Sequence, residues 1–419
     1  MQIAIIGGGA AGCFAAIQIK QRLPQATVTI YESQQRALAK VAITGGGRCN
    51  LTNTFTSVKS LETVYPRGFR LMKRLFHVFN HRNTFEWFEK QGVKLTIQPD
   101  NCIFPASQNA MQIVNTLLKL MQQTGVVLKT GHRIANISPI TTNSNEKECP
   151  NFQLEFSNES LKPRVVDAVL VTTGGSPRES GLKFLHPLKL ETIAPVPSLF
   201  SLCLPQHPIT ALMGTVVESV TASLTGTRLK AFGPLLITHW GMSGPAILKL
   251  SSMAARILAE NGYKGSIAIN WFGDEKENMV AEKLSQLAGA HSQKQLQNVY
   301  PERFNSRLWN ELLRHCSLRP NQRWGELGNK SIQRMAAILT NDRYDIDGKN
   351  RFKEEFVTCG GIALSNLNPS TLECRQHPGL YFAGEVLDVD AITGGFNLQA
   401  AWTMGYVAAH ALCDKWSND

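Results

Sequence analysis

The chain has 419 residues, 43% hydrophobic and 18% charged, with 43 basic against 32 acidic side chains and a formal net charge of +11. That is the composition of a folded soluble protein, long enough for two or three domains, and the lack of any run of about eighteen apolar residues excludes a transmembrane helix. The positive balance exceeds what a small anionic metabolite needs and favours a polyanion such as RNA, whose phosphates release counterions when neutralised.

In chain order, Gln2–Ile6 reads as a strand running into Gly7-Gly8-Gly9-Ala10-Ala11-Gly12, followed by a helix that Pro24 ends. Thr27–Tyr31 is a second strand, closed by Glu32, which completes a β-α-β unit. No positive n-region precedes the first strand, so a cytoplasmic location is expected. Residues 65–92 read as one or two basic amphipathic helices, Met111–Gln122 as a helix, and Val126–Lys129 and Phe152–Phe156 as strands. Thr141–Pro150 is a polar loop, and Ala168–Thr172 is a strand entering Thr173-Gly174-Gly175. From Pro195 short β-like runs take over, including Leu235–Thr238 and Ile267–Trp271, and 276–340 has helical spacing. A strand-like Phe356–Thr358 restores the first texture, leading through Gly360-Gly361 to Leu380–Phe382 and a glycine-opened helix. The expected architecture is α/β: a Rossmann-like domain from 1–194 and 350–419, interrupted by a β-rich domain at 195–275 and a helical one at 276–349.

Gly7-x-Gly9-x-x-Gly12 follows a strand and opens a helix, the context a dinucleotide fingerprint requires. Gly7 permits the tight turn, Gly9 lets a pyrophosphate approach the backbone, and Gly12 lets helix and strand pack closely. Glu32 lies twenty residues past Gly12, where a carboxylate can accept hydrogen bonds from a ribose. The fingerprint alone does not separate NAD from FAD; two further clusters favour FAD. Lys40–Asn53 holds three consecutive glycines, Gly45, Gly46 and Gly47, beside Arg48, Cys49 and Asn50, so that main-chain N–H groups can approach a flat or anionic ligand. Leu380–Glu385 ends a strand in Gly384-Glu385, followed by Asp388 and by Gly394-Gly395 at the start of a helix, a place for a second lobe to reach the flavin. Nine dispersed cysteines, with no CxxC and no zinc spacing, point to reduced thiols and no metal.

These segments, with Gly233–Ser252 and Thr358–Ile362, make the chain resemble, over essentially its whole length, the bacterial flavoproteins known as the BaiN-like or YhiN-like family, also described as an aminoacetone-oxidase family. The resemblance implies a two-dinucleotide-binding-type flavoprotein with FAD contacts from Ala11, Glu32, Lys40, Gly46, Arg48, Gly384, Asn397 and Leu398. The full candidate set adds Gly7, Gly9, Gly12, Ser33, Gly45, Gly47, Cys49, Asn50, Ile134, Gly174, Glu385, Asp388 and Gly395. The chain departs from similar proteins in a shortened stretch at Ser176–Gly181 and in Cys102, where Arg is common.

Activities linked to similar proteins are reduction of a ribosomal uridine to dihydrouridine, oxidation of a small amino ketone and reduction of steroid double bonds. Basic charge favours the first. Arg67, Arg70, Lys73 and Arg74, with His77, His81 and Arg82 close behind, are candidate RNA contacts, a solvated basic face being the alternative. The expected chemistry is reduction of FAD by NADH or NADPH, then hydride transfer to uracil C6 with a protein acid protonating C5. Cys49 leads as that acid and His239 is second; a lowered thiol pKa beside Arg48, and purely structural roles, stay open for them. A small-molecule oxidase or ene-reductase and a non-catalytic RNA-binding flavoprotein are the alternatives, and oligomeric state is left open.

Overall fold

The computed structural model describes residues 1–140, 151–176, 178–350 and 357–417; the loop expected at Thr141–Pro150, Pro177 and the expected strand start at Phe356 lie outside them. The chain divides into two compact units, Met1–Val196 with Val357–Asp419, and Pro197–Phe356.

The first unit begins with β1 (Gln2–Ile6), α1 (Ala10–Arg22) and β2 (Thr27–Tyr31). Ile3 to Ile6 are all buried, as expected of a central parallel strand covered on both faces. Helix α1 is buried along Ala11–Ile19 and built largely of small and aliphatic residues, so it packs on several sides instead of presenting one apolar stripe. Next come α2 (Ala39–Gly47), β3 (Thr52–Asn53), α3 (Phe69–Leu75), α4 (His81–Lys90), β4 (Leu95–Ile97) and β5 (Cys102–Pro105). The basic stretch is thus two helices. Helix α4 starts where the Asn80 side chain accepts from Arg82 N and Asn83 bonds back to Asn80 N. There follow α5 (Ala110–Thr124), capped at its end by left-handed Gly125, then β6 (Val127–Lys129), β7 (Ile134–Ile140), β8 (Asn151–Phe156), β9 (Arg164–Val166), β10 (Ala168–Val171) and β11 (Thr192–Ser198).

In the second unit β12 (Leu202–Cys203), β13 (Val216–Leu224), β14 (Lys230–Thr238), β15 (Gly241–Ser243), β16 (Lys264–Asn270) and β17 (Asp342–Asp347) form an antiparallel sheet in the order β12-β15-β14-β13-β16-β17. Helices α6 (Pro245–Met253), α7 (Ala255–Glu260), α8 (Glu277–Ala290), α9 (Ser306–His315) and α10 (Asn329–Thr340) complete it. The segments 195–275 and 276–349, expected as separate domains, share one core: Ile267 and Trp271 cluster with Leu308, Trp309, Trp324 and Tyr344. The reason is β17, which follows the helices in sequence yet pairs with β16. Neither half closes the sheet alone.

The chain returns through β18 (Val357–Ile362), which pairs with β11, then β19 (Leu380–Phe382) and α11 (Phe396–Ser417). The principal sheet of the first unit is wholly parallel in the order β19-β10-β1-β2-β6. Its register places Ile6 opposite both Val171 and Tyr31, and Val171 opposite Phe382. The carboxyl ends therefore align, and the residues that follow them (Gly7, Glu32, Thr172 and Ala383) emerge along one edge, where ligands of such sheets bind. No helix among the described residues is long and apolar enough to cross a membrane.

Candidate functional site

At this edge two of the three fingerprint glycines are demanded by the protein itself. Gly7 has a φ of +108°, and a Cβ there would lie 2.5 Å from Thr172 O. A Cβ on Gly12 would overlap Gly7 O and come within 2.5 Å of Thr172 Oγ1. That hydroxyl donates to Gly7 O at 2.8 Å, so Thr172 on the neighbouring strand holds the turn in shape. Gly9 is different. It has an ordinary φ of −86°, and no atom stands within 4 Å of where its Cβ would be. No described residue requires glycine there, whereas a ligand pressed against the backbone would. The space lies at the N-terminus of α1, whose first turn carries no acidic residue, so its N–H groups and dipole suit a pyrophosphate. The residues present therefore fit a dinucleotide-type cofactor.

Glu32 closes β2. Its Oε2 accepts from Gly8 N at 2.8 Å and its Oε1 from Gln34 N at 2.7 Å. The carboxylate is thereby aimed across the glycine turn and retains lone pairs for ribose hydroxyls. Beside it opens a cleft of about 270 Å³, into which Gly7, Glu32, Ser33, Ile134 and Gly174 of the expected set converge. His132, Arg133 and Phe184 also line it and carry no motif that sequence reasoning could have used. The His132 ring lies edge-on to Phe156, with Nδ1 2.7 Å from Thr130 O.

The second cluster forms where the glycine loop meets the C-terminal segment. Helix α2 breaks at Thr44 (ψ 148°), and Gly45, Gly46 and Gly47 follow with φ of +59°, +68° and +82°. Gly46 and Gly47 have open space where a Cβ would be, so they too leave the backbone approachable. Arg48 folds back on this loop: its guanidinium lies 4.6 Å from the Phe104 ring and its Nε donates to Gly45 O at 3.1 Å. The Asn50 amide, oriented to satisfy both partners, donates to Thr52 O at 3.1 Å and accepts from Gly395 N at 3.2 Å, tying the two glycine-rich segments together. Lys40 lies 3.6 Å from Glu385, which also accepts from Thr358 N at 2.6 Å. Asp388 accepts from Gly360 N at 3.0 Å. Asn397 clasps Ala391 in both directions at 2.9 Å, closing the loop before α11, and Leu398 is half-buried beside it. Gly384, at a φ of +86°, would bring a Cβ to 3.3 Å from Ala11, so the two ends of the chain touch.

Two expectations need correction. Cys49 is fully buried in the core of the first unit, and burial pushes its thiol up to about 12 against a smaller opposing effect of the Thr44 side chain. Cys49 is thus neither a thiolate nor an acid open to substrate. Iodoacetamide at mildly alkaline pH is therefore expected to leave Cys49 unmodified in the native protein and to label it after unfolding. Peptide mass spectrometry showing rapid native labelling would restore it as a reactive thiol. Arg67 is the other correction. Its guanidinium makes a two-pronged ion pair with fully buried Asp390 and is not available to RNA. Arg70, Lys73 and Arg74 stay exposed. His239 belongs to the second unit, exposed on the turn between β14 and β15 with its ring edge-on to Trp240.

Comparison with known proteins fits this geometry. A family model described as the HI0933-like protein Rossmann domain matches residues 1–411. A 3-dehydro-bile acid delta(4,6)-reductase of Clostridium scindens is 27% identical over 99% of both chains. A ribosomal RNA dihydrouridine synthase of Escherichia coli is 26% identical over 97% of both. The Haemophilus influenzae protein of the same name is 24% identical, covering 97% of this chain and 96% of its own.

Proposed function

The chain belongs to the HI0933-like Rossmann-domain family and is a flavin-dependent oxidoreductase; from that premise we propose that it reduces a carbon–carbon double bond conjugated to a carbonyl, in a uridine of ribosomal RNA. The double bond is what the two kinds of relative share by name. Uracil carries one between C5 and C6, conjugated to the C4 carbonyl, and its saturation gives dihydrouridine. The choice of RNA is carried by charge: a chain at +11 with a run free of acidic residues from Thr63 to Phe85 suits a polyanion better than a steroid.

FAD, when bound, supplies the two-electron hydride chemistry. The chain supplies position and field. With FAD bound, Gly9 and the N-terminus of α1 would receive the pyrophosphate charge and Glu32 would orient the ribose, while Thr172 keeps the turn from relaxing. Gly46 and Gly47 leave backbone open for a flat ring to lie against. Saturating one double bond consumes two electrons and two protons, so a reductant must be renewed each turnover; NADH or NADPH fills that role. Buried Cys49 is not open to substrate as the acid, and His239 is exposed on its turn in the second unit.

The deciding experiment locates dihydrouridine in ribosomal RNA from cells with and without the gene. Loss of one such nucleotide on deletion is expected; unchanged RNA defeats the assignment. The bile-acid reductase likeness over 99% of the chain favours a second reading, reduction of a small enone. That reading predicts pyridine-nucleotide oxidation driven by a steroid enone and indifferent to RNA.

A further inference from the structure

Resting on the RNA reading, we propose that the exposed face of α3 and the turn into α4, formed by Arg70, Lys73, Arg74, His77 and Arg82, is the surface that takes the phosphates of the RNA substrate. Arg70, Lys73 and Arg74 stand at i, i+3 and i+4, which puts them on one side of α3, and His77 follows in the turn after its end. Leu71, Met72 and Leu75 occupy the other side and are buried. All four of the former are exposed, as is Arg82. Like charges at those spacings oppose helix formation, and ordinary surface helices relieve this with intervening carboxylates. None is present between Glu62 and Glu86, and none of these basic side chains makes an ion pair among the described residues. Among the described residues Arg74 bonds the Ser370 hydroxyl at 3.1 Å, and Arg70 lies over the Phe69 ring. Among the described residues no carboxylate pairs with this charge, and an external polyanion would relieve it.

The face is also rooted in the cofactor end of the first unit. Gly68, which opens α3 at a φ of +77°, abuts Val389, and Arg67 grips Asp390, so the helix is built onto the segment between Asp388 and Asn397. Phe55 ties the other end of the face to the same place: its ring stacks on His81 at 4.9 Å and meets Phe396, the first residue of α11, at 5.0 Å. Burial and neighbouring Arg82 lower the pKa of His81, which keeps that ring neutral and suited to stacking. Phosphates held on α3 thus lie along a surface continuous with the loop that sets Asn397 and Leu398.

The test compares three FAD-loaded proteins binding an in vitro transcribed ribosomal RNA fragment across a salt series. The first is the native chain, and the second carries Arg70→Ala, Lys73→Ala and Arg74→Ala. The third carries Lys230→Ala, Lys276→Ala and Lys294→Ala, which removes equal charge from exposed positions of the second unit. The α3 variant is expected to bind about 10-fold or more weakly, with the slope of log K against log salt reduced by roughly two to three, while the charge control stays near native. Unchanged flavin absorbance and melting temperature show that the fold is intact. Native-like binding by the α3 variant, or an equal loss in the control, overturns this surface and leaves the RNA reading standing. No binding by the native chain removes both.

Discussion

Gly9→Ala is expected to lower FAD affinity by at least ~10-fold, equivalent to about 1.4 kcal/mol, while the apoprotein loses no more than about 1 kcal/mol of stability. The small loss in the apoprotein is the cost of alanine at a helix N-cap; no clash adds to it, because nothing stands within 4 Å of the new methyl group. The large loss comes from the ligand side, where the methyl occupies the space a pyrophosphate needs above the first turn of α1. Gly12→Ala gives the opposite signature. Its methyl would overlap Gly7 O, so the glycine turn must shift, and overpacking of this kind costs about 1–3 kcal/mol in the protein alone. Flavin-fluorescence titration and urea unfolding of both apoproteins separate the two. Native FAD affinity in Gly9→Ala would remove the cofactor from this turn.

Arg67→Ala is expected to destabilise the protein by about 3–5 kcal/mol, because it leaves the Asp390 carboxylate buried without its counter-ion. Arg70→Ala and Lys73→Ala, at exposed positions, should each stay within about 0.5 kcal/mol of native. Arg67→Lys is expected to recover only part of the loss, since an ammonium cannot make both prongs of the carboxylate contact. Denaturant unfolding of the four variants decides it. An Arg67→Ala protein as stable as the native one would mean the pair contributes nothing and would return Arg67 to the exposed basic set.

The contrast between these arginines shows where sequence reading stops. Arg67 and Arg70 stand three residues apart in one basic run and look alike on the page. What separates them is Asp390, which arrives 323 residues later in the chain. Cys49 is similar: in the glycine loop it reads as a candidate acid, but the structure buries it in a core it shares with residues as distant as Trp402, whose indole donates to Leu51 O at 3.0 Å. The lining of the cleft by His132 and Phe184 had no local signature either, because each is carried in by a segment packed from elsewhere.

By itself the sequence determined the β-α-β unit, the glycine turn, the acidic residue at the end of β2 and the family to which the chain belongs. Those features rest on short-range rules: strand and helix periods, positive φ and close approach at glycine, and a fixed spacing from turn to carboxylate. Only the tertiary structure decided which charges are paired, which thiol is out of reach, and that β17 joins the β-rich and helical segments in one core. Burial and long-range pairing are properties of the folded neighbourhood, and residues hundreds of positions apart supply that neighbourhood.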